Sequence, residues 1–207
     1  MRTRDDETCD DVTCWVDPGC PWTWATSRWL VEAADRRGLR VEWRLLSLAI
    51  LNEGRVAEEH SRERTAFGAR VLRVMAAARE AGGNDALGRL FTAYGRRVHD
   101  DGEPFARETV VAAVAEAGLP DGVPDAFDEP AWDAVVTRDH EAAQEAAGGE
   151  AGSPVMAYRG TGWFGPVLSP APKGEEAGRV WDDLTRFITR DEIFEVKRGR
   201  TRPPRVA

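Results

Sequence analysis

Between residues 12 and 16 the chain reads Val-Thr-Cys-Trp-Val, a β-branched and aromatic run closed by the turn signal Asp17-Pro18-Gly19, which predicts a short buried strand. Beyond Cys20 the period changes. Pro21 suits a first helical position, apolar residues recur at Trp22, Ala25, Trp29, Leu30, Ala33 and Ala34, and Gly38 marks the stop, so Cys20 falls at the N-cap of a helix. Val41, Trp43 and Leu45 then alternate with Glu42 and Arg44, the signature of a strand with one buried face. Strand, helix and strand at this spacing make a βαβ unit, whose crossover favours a parallel pair.

From about Ala57 to Gly148 the pattern is helical. One helix carries Phe67, Val71, Val74, Met75 and Ala78; a second, capped by Asn84 or Asp85, carries Leu87, Leu90, Phe91, Tyr94 and Val98. A third runs from Phe105 through Val110, Val111 and Val114 to Gly118 and Pro120, and a fourth holds Trp132, Val135, Val136 and the flank of His140. Strand character returns at Val155 to Tyr158 and at Trp163-Phe164, on either side of the turn 159–162, and an amphipathic helix from about Glu175 to Thr189 follows. The order βαβ, helical block, ββα predicts an α/β fold in which residues 1–54 and 149–207 form one unit and 55–148 an all-helical insertion.

Composition narrows the partners. The chain has 207 residues, enough for a substantial core, and a net charge of -8, which argues against nucleic acid or an anionic membrane surface. The first residues hold no apolar signal region, and no stretch approaches the roughly 18 apolar residues of a membrane span, so a cytoplasmic setting is expected. Cys9, Cys14 and Cys20 are odd in number and unlike a secreted disulfide framework. Their spacing, with no histidine near them in sequence, also argues against a metal. Thiolate chemistry remains.

Cys20 is the candidate. A helix N-terminus offers unpaired N–H groups and partial positive charge, which lower a cysteine pKa from about 8.5 to roughly 3.5–7.5, so Cys20 is expected to be largely ionised at neutral pH. Thr23, at N3, can turn its hydroxyl back to the sulfur, and Trp22 would flank it as a wall. The alternative is a small buried residue at a tight turn. Cys14, six residues back on the strand, reads as core.

Cys20-Pro21-Trp22-Thr23 within this order of elements resembles the DsbA-like branch of the thioredoxin superfamily. Asp17-Pro18-Gly19-Cys20-Pro21-Trp22, residues 47–53 (SLAILNE), 164–169 (FGPVLS) and 174–178 (GEEAG), and the tail from Lys197-Arg198 to Pro203-Pro204 are similar to the actinobacterial mycothiol-dependent nitroreductase group. The resemblance implies a thioredoxin fold with a helical insertion, and mycothiol or another low-molecular-weight thiol as cosubstrate without a metal. It makes Ser153-Pro154 the cis-proline loop facing the reactive cysteine; an ordinary trans Pro opening a strand is the plainer alternative.

Thr23 departs from the pattern, because the group carries there a second cysteine that resolves the mixed disulfide. Cys9 could substitute on a flexible lead, although Asp6, Glu7, Asp10 and Asp11 would slow it. Two enzymatic routes follow on a small electrophilic or disulfide substrate. In one, Cys20 is a monothiol nucleophile; in the other, similar to kappa-class transferases, the helix start, Thr23 and Cys20 stabilise the thiolate of a bound thiol. A non-catalytic binding module is the third reading.

Among other residues, His99 echoes a family histidine overhanging the site and would bind substrate or shuttle a proton; a solvated helix-end His is the alternative. Asn52 is either a polar contact for the thiol or a turn residue, and His60 and His140 read as surface. Of eight tryptophans, several would line a pocket between core and insertion or fill the core. The basic tail pairs with an acidic patch, with a second subunit in a homodimer, or with solvent.

Overall fold

The structure is a computed structural model and describes residues 11–55 and 59–205; Cys9 and the His60 side chain lie outside the described part. β1 (Asp11–Val16), α1 (Pro21–Arg37) and β2 (Arg40–Leu45) form the expected parallel βαβ unit, with Val16 opposite Leu45. Gly38 ends α1 in the left-handed conformation (φ 63°), where a side chain would be strained. β3 (Val155–Tyr158) pairs antiparallel with the other edge of β1, and β4 (Thr161–Phe164) pairs antiparallel with β3, giving the sheet order β2-β1-β3-β4. α6 (Glu175–Ile188) lies against α1: Trp29 Nε1 donates to the Ala177 carbonyl at 3.0 Å, and Arg37 bridges Glu175 and Asp182. This is a thioredoxin-type α/β fold.

The helical residues stand between β2 and β3 as α2 (Leu48–Leu51), α3 (Glu59–Gly95), a π turn over 96–100, α4 (Arg107–Glu116), two short 3-10 turns and α5 (Asp133–Ala146). α3 holds the two helices expected over 67–98, separated where the backbone leaves helical geometry at Gly82 (φ -150°, ψ 20°) and Gly83 (φ 73°, ψ -165°). Asn84 does not cap its second half; its side chain donates to the Trp43 carbonyl at 2.9 Å and ties the bend to β2. α2, four residues long, is too short to show a period, but Ser47 caps it by accepting the Ile50 N–H.

β1 is covered on both faces. Cys14, Val12 and Val16 are fully buried with α1 and α3, while Trp15 packs with Leu46, Ala143, Ala151 and Val155 under α5. That second layer corrects the expectation for His140. It is buried at 5% exposure, its Nδ1 accepting the Ser47 N–H at 3.4 Å, because the α5 stripe Val136, Asp139, His140 and Ala143 faces the sheet. Asp139 beside it accepts the Leu45 N–H and the Arg79 guanidinium. Among the described residues no helix is long and apolar enough to cross a membrane.

Two features set the turn after β1. Asp17, 2% exposed, accepts the Gly19 N–H on Oδ1 and the Leu48 N–H on Oδ2, both at 2.8 Å. Its carbonyl accepts the Cys20 N–H at 3.2 Å, and its own N–H donates to Ser153 Oγ at 3.0 Å. One residue thus joins the turn, α2 and the loop before β3. Burial pushes its carboxyl from the ordinary 3.8 up to about 6, against the pull of those two N–H groups and Arg64. The second feature is Gly95, where α3 meets α1 so closely that a Cβ would lie 2.3 Å from the Trp24 ring.

Gly95→Ala is expected to lower stability by about 1–3 kcal/mol, read as a lower urea midpoint, since the Trp24 ring has no room to retreat. For Asp17 the sign follows from its raised value. The native state binds the extra proton between about pH 4 and 6, so stability falls by up to about 3 kcal/mol as pH rises through that window and is level above it. In urea unfolding across about pH 4–7, Asp17→Asn should lack that fall relative to the unsubstituted protein; equal slopes in both would contradict the assignment.

Candidate active site

Cys20 is the N-cap of α1, in extended conformation (φ -92°, ψ 112°), and its carbonyl accepts the Trp24 N–H at 3.0 Å. Pro21 takes the first helical position, as its fixed φ allows, and the cysteine is half-buried. One turn on, Thr23 is fully buried, and its hydroxyl oxygen lies 2.7 Å from that of Ser153. The Ser153–Pro154 bond is cis, and the Pro154 carbonyl accepts the Gly165 N–H at 2.8 Å. Cys20, Thr23, Ser153 and Pro154 therefore come together from α1 and the loop before β3. Cys14 stays inside β1 at 0% exposure, and burial pushes its thiol far up.

The sulfur itself departs from expectation. Burial pushes the Cys20 thiol above its ordinary value. The Thr23 hydroxyl and the N–H groups of Thr23 and Trp22 pull toward the thiolate, and the Asp17 carboxylate pushes away from it. Desolvation outweighs the helix start, so the free protein holds Cys20 mainly as the thiol at neutral pH, not as the thiolate that position alone predicts.

The insertion reaches this turn through two side chains. His99 Nε2 lies 2.9 Å from the Pro18 carbonyl; a carbonyl only accepts, so Nε2 carries the proton and donates. Burial lowers the His99 pKa, which favours this neutral form. Its ring stacks on Trp24 and meets Phe105 edge-on, and Trp24 Nε1 donates to Asp100 at 2.7 Å. Arg64 of α3 donates to the Gly19 carbonyl at 3.3 Å, with its guanidinium over Phe105.

The other candidates are scattered. Asn52 is exposed and donates to the Leu48 carbonyl, closing α2 as a turn residue does. Trp15, Trp24, Trp29, Trp43 and Trp163 are core, whereas Trp22 is half-buried beside Cys20. In the tail, Arg200 lies over the Trp22 ring, 4.9 Å from its centroid, and Arg202 and Arg205 bond to Ser169. Among the described residues no group of three or more His, Cys, Asp or Glu is placed to hold a metal.

Sequence reasoning missed Asp17, Arg64 and Tyr94. Asp17 passed as turn punctuation; an acid directly after the apolar run Cys14-Trp15-Val16 was the available signal. Tyr94 is fully buried, its hydroxyl has no hydrogen-bond partner among the described residues, and burial followed by the nearby Asp17 carboxylate raises its pKa; no local pattern marks it.

Comparisons with known proteins agree with this geometry. A curated protein of Mycobacterium tuberculosis, the uncharacterized protein Rv2286c, is 28% identical over 188 residues, 89% of this chain and 80% of that one. A probable DsbA oxidoreductase from Streptomyces coelicolor, SCO1869, superposes with a TM-score of 0.59 at 18% identity, covering 96% of this chain and 99% of that one. The cytosolic disulfide reductase DsbM from Pseudomonas aeruginosa, solved with GSH, does so with a TM-score of 0.57 at 16% identity, covering 86% and 100%. These two share the fold. The family model described as mycothiol-dependent nitroreductase Rv2466c matches residues 19–198, from the glycine before Cys20 into the basic tail, and the chain accordingly belongs to the Rv2466c-like family of thiol-dependent oxidoreductases.

Proposed function

We propose that this chain is a monothiol oxidoreductase of that family, in which Cys20 exchanges with mycothiol or a similar low-molecular-weight thiol on a small disulfide or electrophilic substrate in the cytoplasm. One observation carries the reading: a half-buried cysteine opens α1 in a turn that Asp17 and Thr23 bond to the cis-proline loop through Ser153, with a hydroxyl residue where the family pattern has its second thiol. Cys14 is fully buried in β1 and cannot take that part without unfolding the strand.

The exchange runs in two balanced steps. The Cys20 thiolate attacks the mycothiol sulfur of a mixed disulfide, forming a Cys20–mycothiol disulfide and releasing the substrate thiolate. A second mycothiol thiolate then attacks the mycothiol sulfur of that adduct, forming oxidised mycothiol and restoring the Cys20 thiolate. Thr23 and the N–H groups of the first turn stabilise the sulfur anion at both stages.

The upward shift of the Cys20 thiol favours a second route, in which the same donors hold the thiolate of bound mycothiol and no covalent bond to the protein forms. Mass spectrometry after incubation with oxidised mycothiol separates the two. The first route predicts one adduct, placed on Cys20 itself by fragmentation because Cys9, Cys14 and Cys20 share the tryptic peptide 5–28, and forming faster as pH rises from about 7 to 9 because the thiol is held above its ordinary value. No adduct, together with activity retained in Cys20→Ser and lost in Thr23→Val, would establish the second route and overturn the first.

A further inference from the structure

We propose that Arg64 and Arg200 bracket Cys20 as a recognition site for a carboxylate, so that the small electrophile or disulfide this cysteine meets is an acidic one. The inference deepens the reading above: it rests on Cys20 as the reacting sulfur and names the class of its substrate.

The two guanidiniums come from distant parts of the chain and reach the residues on either side of the cysteine. Arg64, on α3, donates to the Gly19 carbonyl at 3.3 Å, directly before Cys20, and its guanidinium lies 5.2 Å from the centre of the Phe105 ring. Arg200, in the tail, lies 4.9 Å from the centre of the Trp22 ring, two residues after Cys20. The tail is tied down just beyond it, where Arg202 donates to the Ser169 carbonyl and the Arg205 N–H to Ser169 Oγ. Arg64 is half-buried and Arg200 exposed, so both are open to a small molecule that approaches the sulfur.

Neither guanidinium is neutralised. Arg70 and Arg107 sit on Asp128, and Arg96 and Arg97 on Glu116, but among the described residues no carboxylate pairs with Arg64 or Arg200. Two acids by the turn are engaged elsewhere: Asp17 accepts the Gly19 and Leu48 N–H groups, and Asp100 accepts Trp24 Nε1. A guanidinium carries five N–H donors in a planar fork. Arg64 spends one of them on a long bond to a carbonyl, and Arg200 rests on a ring face. Each keeps the adjacent donors that grip a carboxylate through two parallel bonds. The chain carries a net charge of -8 and repels anions at a distance, so two free cations beside one sulfur set this mouth apart from the rest of the surface.

Iodoacetate and iodoacetamide test the site on the full chain, because they share one reaction and differ in charge. With either, the Cys20 thiolate forms a carbon–sulfur bond as the carbon–iodine bond breaks and iodide leaves with the electron pair. The ratio of the two rates, read on Cys20 by fragmentation of the tryptic peptide 5–28, cancels any change in thiol ionisation, since both reagents meet the same thiolate. Arg64→Gln and Arg200→Gln should each lower the iodoacetate-to-iodoacetamide ratio about two- to fivefold, the worth of a partly exposed ion pair, while Arg64→Lys and Arg200→Lys keep most of it. Arg36→Gln removes the same charge at the far end of α1, about 24 Å along the helix from Cys20, and should leave the ratio unchanged. A ratio unmoved by Arg64→Gln or by Arg200→Gln, or lowered equally by Arg36→Gln, overturns the carboxylate site. Labelling needs no mycothiol, so the ratio test can fail while Cys20 still forms its mycothiol adduct, and can succeed where no adduct forms. A Cys20 that neither reagent labels overturns both readings.

Discussion

Asp17 follows the buried end of β1 with a carboxylate, and every polar atom it has holds a neighbouring segment still. Its side chain fixes Gly19 and the first residue of α2, its carbonyl fixes the Cys20 N–H, and its N–H fixes Ser153. The cysteine turn, the segment leaving β2 and the cis-proline loop are therefore set by one residue, and the sulfur inherits its position from that arrangement. Burying a carboxylate raises its pKa to about 6, and the resulting charge near neutral pH works against a thiolate next door. The arrangement that places the cysteine thus also restrains its ionisation.

That restraint changes what the site does. A cysteine at a helix start is usually an eager nucleophile, but here desolvation wins over the N–H groups and Thr23. The sulfur is held as the thiol in the free protein while the Thr23 hydroxyl and the first-turn N–H groups still favour its anion. The insertion supplies the outer wall: His99 donates to the Pro18 carbonyl and stacks on Trp24, whose ring in turn rests on Gly95. Packing of α3 against α1 and the geometry of the cysteine turn are one mechanical unit.

Much of this was legible in the chain. β1, α1 and β2 announce themselves through local period and through Pro21 and Gly38, the closing helix through its amphipathic stripe, and Ser153-Pro154 through a proline placed just before a strand. Cys14 reads as core for the same local reason. What local pattern could not show is what long-range packing decides. His140 lies on a helix face that becomes buried only because α5 covers the reverse side of the sheet. The Cys20 shift depends on how deeply the folded chain buries the turn, and the Thr23–Ser153 contact joins residues 130 positions apart.

The central claim is that Cys20 meets its thiol partner in the angle between the start of α1 and the Ser153–Pro154 loop. A crystal structure of the protein trapped with mycothiol tests it most directly. The account predicts a Cys20–mycothiol disulfide whose cysteinyl portion lies along residues 153 and 154, with Thr23 beside the Cys20 sulfur. A mycothiol moiety bound on another face, or linked to a different cysteine, would contradict it.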